Sequence, residues 1–186
     1  MPKGKGLILL LAAGTLVVFS LFAWLIIYFT QDAGFTEKMY GRITLPVQIG
    51  AGILYGTLTA FVGWRIVLLP YLRNVRQFFG NLVRGFHLSV TEVIFISVCV
   101  GIGEEMLFRG ALQPLFGKLV TSIGFVALHG YLNPMNKPLS LYGFYMIAVI
   151  YGMGYMTETL GIVSAISAHT VIDIILLLAL SRDQLS

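Results

Sequence analysis

Glu104 and Glu105 stand side by side within a run of apolar residues, and Arg109 follows the second of them by four positions. A charged group in membrane-grade sequence costs roughly 2.5 to 3.5 kcal/mol on insertion scales, so three within six residues call for a functional explanation. On an α-helix, residues four apart share a face while neighbours point about 100° apart. Glu105 and Arg109 are therefore expected to pair, and Glu104 to look elsewhere. Glu104, desolvated and without an arginine of its own, is then the residue suited to take a proton from water. Two further pairs repeat the four-residue step: Phe125 with His129, and His169 with Asp173. One glutamate, two histidines and an aspartate converging in a lipid-shielded cavity can activate water for hydrolysis. They can equally bind a divalent metal through Glu104, His129, His169 and Asp173, or relay protons in a transporter. The chain has no HExxH, GxSG or GxGD motif, the signatures of zinc, serine and aspartyl proteases that work in or on membranes.

These side chains must be positioned by membrane helices. Of the 186 residues 58% are hydrophobic and 11% charged, which places the chain in the integral membrane class. Apolar runs at 7–29, 43–67, 88–108, 119–131, 139–156 and 162–180 predict an all-α, polytopic transmembrane bundle of about six spans, one domain over 1–186 with a motif-bearing core at about 88–181. The first run is longer than a signal-peptide core and no small-residue cleavage site follows it, so it is expected to stay as a span. Polar connections are expected at 31–42, at 133–138 and, as a tight turn holding Glu158, at 157–161, with a polar tail at 181–186. Pro114 and Gly117 predict an elbow over 110–118. Glu104 lies thirteen residues before Gly117 and His129 twelve after it. If both arms are helical, the two side chains sit at similar depth, roughly 18 to 20 Å from the turn. His169, eight residues beyond Gly161, starts roughly 12 Å down from the same side.

The formal charge of +4 does not point to nucleic acid, because the basic residues lie in short segments between apolar runs, where they set orientation. The partner they imply is the lipid bilayer. Arg65, Arg73, Arg76 and Arg84 alternate with Phe78, Phe79, Leu82 and Val83, the pattern of an amphipathic segment lying on an anionic leaflet. In a six-span arrangement with the N-terminus inside, one side collects Lys3, Lys5, Arg65, Arg73, Arg76, Arg84, Lys137 and Arg182, and the other only Lys38, Arg42 and Lys118. That asymmetry predicts a multi-pass cell-membrane protein with both termini cytoplasmic. Gly50, Gly52, Gly56 and Ala60 form a small-residue stripe suited to close helix packing. Glu92 is placed to cap a helix start, and the single Cys99 excludes an internal disulfide.

The three motifs resemble a family. EEMLFR at 104–109 matches EExxxR, FVALH at 125–129 matches FxxxH, and HTVID at 169–173 matches Hxxx(N/D), in the order found in the CPBP family, which includes the type II CAAX prenyl endopeptidases and bacteriocin-processing or self-immunity proteins. The resemblance covers about 91–181. It implies an intramembrane endopeptidase of glutamic type, in which Glu104 activates water, His129 helps to hold that water and Arg109 secures Glu105. His169 and Asp173 would stabilise the oxyanion, with Phe125 in support. Asparagine is a common occupant of the last position. An ionised aspartate cannot donate to an oxyanion, so Asp173 must be protonated, orient His169 or contact a metal. The implied substrate is a peptide or lipidated protein, with no cofactor, or with a divalent metal such as zinc as the alternative. Two other readings stay open: a non-catalytic bacteriocin self-immunity or scaffold protein, and a proton-coupled transporter.

Overall fold

The computed structural model describes residues 4–32, 34–41 and 43–183, so Lys3, Arg42 and the tail residues 184–186 lie outside the described chain. Among the described residues there are eight α-helices and no strand: α1 (Lys5–Thr30), α2 (Phe35–Tyr40), α3 (Leu45–Val67), α4 (Arg73–Gly85), α5 (Val90–Glu105), α6 (Gln113–Leu128), α7 (Lys137–Thr159) and α8 (Ile162–Arg182). A π-helical stretch, Met106–Leu112, joins α5 to α6. Four helices, α1, α3, α7 and α8, are each long and apolar enough to cross a membrane, or up to five spans if the bent pair Pro70–Gly85 and Val90–Leu128 is one. The sequence suggests about six. The difference lies in α5 and α6, which have 16 residues each. The π-helical stretch separates them and Gly117 kinks α6, so neither forms a straight run of about 20 apolar residues by itself.

The outer surface carries exposed leucine, valine, phenylalanine and tryptophan, among them Leu10, Val17, Phe22, Trp24 and Phe29 of α1. A soluble protein would not leave so many together, whereas lipid accepts them without cost. Inside, helices approach through small residues. A Cβ added at Gly56 on α3 would lie 2.6 Å from the Ala168 carbonyl of α8, while Ala60 is buried one turn further on and Gly50 faces open space. Gly103 sits against the Thr15 backbone of α1 and Gly101 against Thr170 of α8, so α5 is clasped between those two helices and its C-terminal end is delivered to the centre of the bundle.

The expected elbow narrows to one residue. Pro114 stands in the first turn of α6, where a missing N–H costs nothing. Gly117 has φ 77° and ψ 161°, a region open essentially to glycine alone, and the helix axis reverses there. The other expected connections are more helical than their composition suggests. The 31–42 segment contains α2, Pro138 lies in the first turn of α7 behind the Asn136 cap, and α7 runs on to Thr159 before Gly161 (φ 125°) ends the turn. Glu92 does cap: Ser89 and Glu92 form a reciprocal capping box at the start of α5, and Lys5 pairs with Glu92 at 2.9 Å. Cys99 is buried.

One end of the bundle gathers the basic segments. Arg76 of α4 grips the Asp183 carboxylate through two hydrogen bonds of 2.6 and 2.7 Å, and Arg84 donates to the Asp183 carbonyl. Val75 and Val83 of α4 face inward while Arg73 and Phe78 face out, so α4 lies across this end as an amphipathic cover. At the opposite end Lys118 meets Glu158 at 2.5 Å.

Candidate active site

The reversal at Gly117 lays α6 back against the π-helical stretch, with Phe108 and Phe125 edge to face at 4.9 Å between ring centres. This contact carries His129 to the level of Glu104, and the His129 Nε2 to Glu104 Oε2 distance is 3.5 Å. From α8, His169 Nε2 approaches the same carboxylate oxygen to 3.8 Å and Asp173 Oδ2 to 3.6 Å. The structure thus brings together all four residues expected to do chemistry, on three helices that the sequence alone could not fold onto one another.

Each imidazole has its orientation fixed from behind. His129 Nδ1 lies 2.8 Å from the Phe125 carbonyl. A carbonyl only accepts, so Nδ1 carries the proton and Nε2 faces Glu104. His169 Nδ1 lies 2.8 Å from Glu105 Oε1, across 64 residues of sequence. His169 is thus oriented by Glu105, and Asp173 borders the other nitrogen. Glu105 in turn meets Arg109 Nε at 3.3 Å, with both side chains fully inaccessible. The expected Glu105–Arg109 pair is present, and Glu105 has a second duty that the four-residue spacing could not indicate.

Phe125 is the residue on which the site is stacked. Its ring lies flat against His129 at 4.3 Å, edge-on to His169 at 5.9 Å, and beneath the Arg109 guanidinium at 5.3 Å. The guanidinium nitrogens have no hydrogen-bond partner among the described residues, so the Glu105 charge and this aromatic face are what balance the Arg109 cation inside the protein.

Glu104, His129, His169 and Asp173 open into a cavity of about 210 Å³ whose remaining lining is Tyr131 and apolar side chains from α5 to α8. Tyr131 and Asp173 also line an adjoining apolar cavity of about 180 Å³, walled by Trp64, Phe79, Val83 and Leu180 beneath α4 at the basic end. Behind the site a third cavity, of about 250 Å³, touches Arg109, Gln113 and Glu158. Gln113 donates to Glu158 at 3.0 Å, which makes Glu158 part of a polar group on α6 and α7 and not a loop residue. Sequence reasoning passed over Tyr131 and Gln113, since neither carries a motif or a charge.

The family model for the type II CAAX prenyl endopeptidase, Rce1-like, matches residues 86–175. This segment is similar to the Rce1-like family. Glu104, Glu105, Arg109, Phe125, His129, His169 and Asp173 lie within it, and α1 to α4 lie outside. The uncharacterized protein YpbD of Bacillus subtilis (strain 168) is 36% identical over 87 residues, 46% of this chain. That alignment spans 43% of YpbD, so the chain covers less than half of that relative's length. No solved structure gives a significant match.

Two imidazoles and two carboxylates are ligand types that a divalent metal uses. The two Nε2 atoms stand 3.5 and 3.8 Å from one carboxylate oxygen. Among the described residues no group of three or more His, Cys, Asp or Glu side chains is arranged to hold a metal ion. As they stand, these side chains do not form a preformed metal cage.

Proposed function

We propose that this chain is a CAAX-protease-like intramembrane endopeptidase that hydrolyses a peptide bond with Glu104 as general base. The observation that carries the reading is the convergence of two imidazole Nε2 atoms on Glu104, each fixed from behind, while the neighbouring Glu105 is committed to Arg109 and His169. A water seated against Glu104 and the His129 Nε2 lone pair can give its proton to Glu104 as its oxygen bonds to the scissile carbonyl carbon. The carbonyl π-electron pair moves to oxygen, where His169 Nε2–H can donate to it, with Glu105 stabilising the imidazolium that does so. Collapse re-forms the carbonyl, breaks the C–N bond, and the amine leaves with the proton held by Glu104. The products are a carboxylic acid and an amine, and no cofactor enters.

The substrate class that fits is a peptide or lipidated protein presented from the bilayer. The site adjoins the apolar cavity beneath α4, where Arg76 and Phe79 lie, and on this reading the substrate approaches from the basic end. By the positive-inside rule that end, with both chain termini, is cytoplasmic.

The decisive experiment uses the full chain reconstituted in liposomes with a library of quenched fluorogenic peptides. Glu104→Gln is expected to lower kcat by roughly 10² to 10⁴ while the protein remains folded. Unchanged turnover would refute the mechanism.

A further inference from the structure

Of the eleven residues lining the catalytic cavity, six are apolar, four are Glu104, His129, His169 and Asp173, and the remaining one is Tyr131. Stabilising a tetrahedral intermediate calls for preorganised donors aimed at the developing oxyanion. Glu104 and an ionised Asp173 can only accept. His129 Nε2 is engaged with the water, and His169 Nδ1 with Glu105, which leaves His169 Nε2 as a single donor. We propose that the Tyr131 hydroxyl is the second oxyanion donor, a catalytic residue supplying the hydrogen bond that asparagine would give at position 173. This assignment rests on the hydrolytic reading above.

The local fold explains how a tyrosine two residues beyond His129 can be held firmly enough for this. At the end of α6, Gly130 takes φ 75°, its N–H donates to the Ala127 carbonyl at 2.9 Å, and the Tyr131 N–H donates to the Val126 carbonyl at 3.2 Å. These are the two bonds of a Schellman ending, with glycine at the left-handed position. The Tyr131 carbonyl then packs directly onto α7, because Gly143 has no side chain: a Cβ there would stand 2.7 Å from that oxygen. The ring is set on three sides. It is nearly parallel to the His129 ring at 6.1 Å and 9°, edge-on to Tyr142 at 5.7 Å, and tilted against Phe79 of α4 at 6.5 Å. Its plane therefore follows that of the imidazole that positions the water.

The hydroxyl is available. Tyr55 and Tyr145 commit theirs to the Val149 and Thr59 carbonyls at 2.9 and 2.5 Å, and the described residues offer no such partner to Tyr131. Its position where the catalytic and apolar cavities adjoin also places it beside a substrate entering from beneath α4. In the attack step the π-electron pair of the carbonyl comes to rest on oxygen and accepts hydrogen bonds from Tyr131 O–H and His169 Nε2–H. Tyr131 keeps its proton throughout, and the proton of the water travels by Glu104 to the leaving nitrogen.

The test is Tyr131→Phe in the reconstituted full chain, read with the fluorogenic peptide that the native chain cleaves best. The ring stacking survives this change, so the expected result is a roughly 100-fold lower kcat with KM unchanged. Adding Asp173→Asn to Tyr131→Phe is expected to recover at least tenfold of that loss, because the amide supplies a donor; a purely structural tyrosine would not be rescued this way. An unchanged kcat, or a loss confined to KM, overturns the assignment. A second measurement does not depend on turnover: the affinity of a peptidyl phosphinate, which mimics the tetrahedral state, against that of the matching peptide amide. The native chain is expected to prefer the phosphinate and Tyr131→Phe to lose that preference. Preference retained in the variant overturns the Tyr131 assignment alone, whereas no preference in the native chain overturns the hydrolytic reading and this assignment with it.

Discussion

The bundle holds two polar regions back to back, divided by Glu105, and they are built on opposite rules. On the rear side every carboxylate faces a permanent cation: Glu105 meets Arg109, and Glu158 meets Lys118 and is tied to Gln113. On the front side Glu104 and Asp173 face only imidazoles, at 3.5 to 3.8 Å. An arginine does not titrate in a protein, so the charge that faces Glu105 is locked. Imidazole gains and loses a proton near neutral pH, so the front charges can change during a reaction. The locked region holds its neighbour in place, and the titratable region has the freedom that the proposed hydrolysis requires. Glu105 belongs to both, since it accepts from His169 on one side and is neutralised by Arg109 on the other.

Substitutions can break this contrast or sharpen it. The largest stability effect is expected from Arg109→Gln, which leaves Glu105 without its counter-charge at a fully buried position. Removing one partner of such a pair costs about 3 to 5 kcal/mol. Thermal unfolding in detergent should fall well below the native chain, and an unaltered midpoint would show that the rear pair is not what anchors the site. Glu104→Gln, by contrast, should abolish turnover with little change in that midpoint. Gly117→Ala comes next, with an expected cost of about 1 to 3 kcal/mol, since alanine is strained at φ 77° and ψ 161°. Because the reversal carries His129, activity should fall with stability; loss of neither would mean that α6 turns back by another route. The smallest effect is expected from Glu158→Gln. The Glu158 side chain is 48% exposed and its bond to Lys118 is a surface pair, so the change should stay within about 1 kcal/mol. A large loss of activity there would extend the working site into the rear cavity.

The charge distribution and the site geometry also agree on direction. The Gly117 turn and Lys118 lie at the end away from α4, yet the candidate cavity adjoins the apolar cavity beneath α4. An elbow at the far end is therefore compatible with the proposed approach of a substrate from the basic end, because the candidate side chains sit about 19 Å from that elbow by helix rise.

The periodicity and residue types of the sequence alone determined an all-helical membrane chain, the pairing of Glu105 with Arg109, the partition of the two glutamates onto different faces, and the candidate set at 104, 129, 169 and 173. These follow from local rules: an apolar run must be a helix in lipid, and a four-residue step shares a helix face. Only the tertiary structure decided the rest. The bond from His169 to Glu105 joins α8 to α5, and spacing along α8 suggests Asp173 as the partner of His169 instead. The lengths of α5 and α6 depend on where a π-helical stretch and one glycine break the run, and Pro114, the stronger breaker by composition, breaks nothing. Tyr131 acquires its place from a Schellman turn pressed against Gly143 of another helix. Contacts between helices depend on axial register and on which small residues let two backbones meet, and no periodicity within a single helix carries that information.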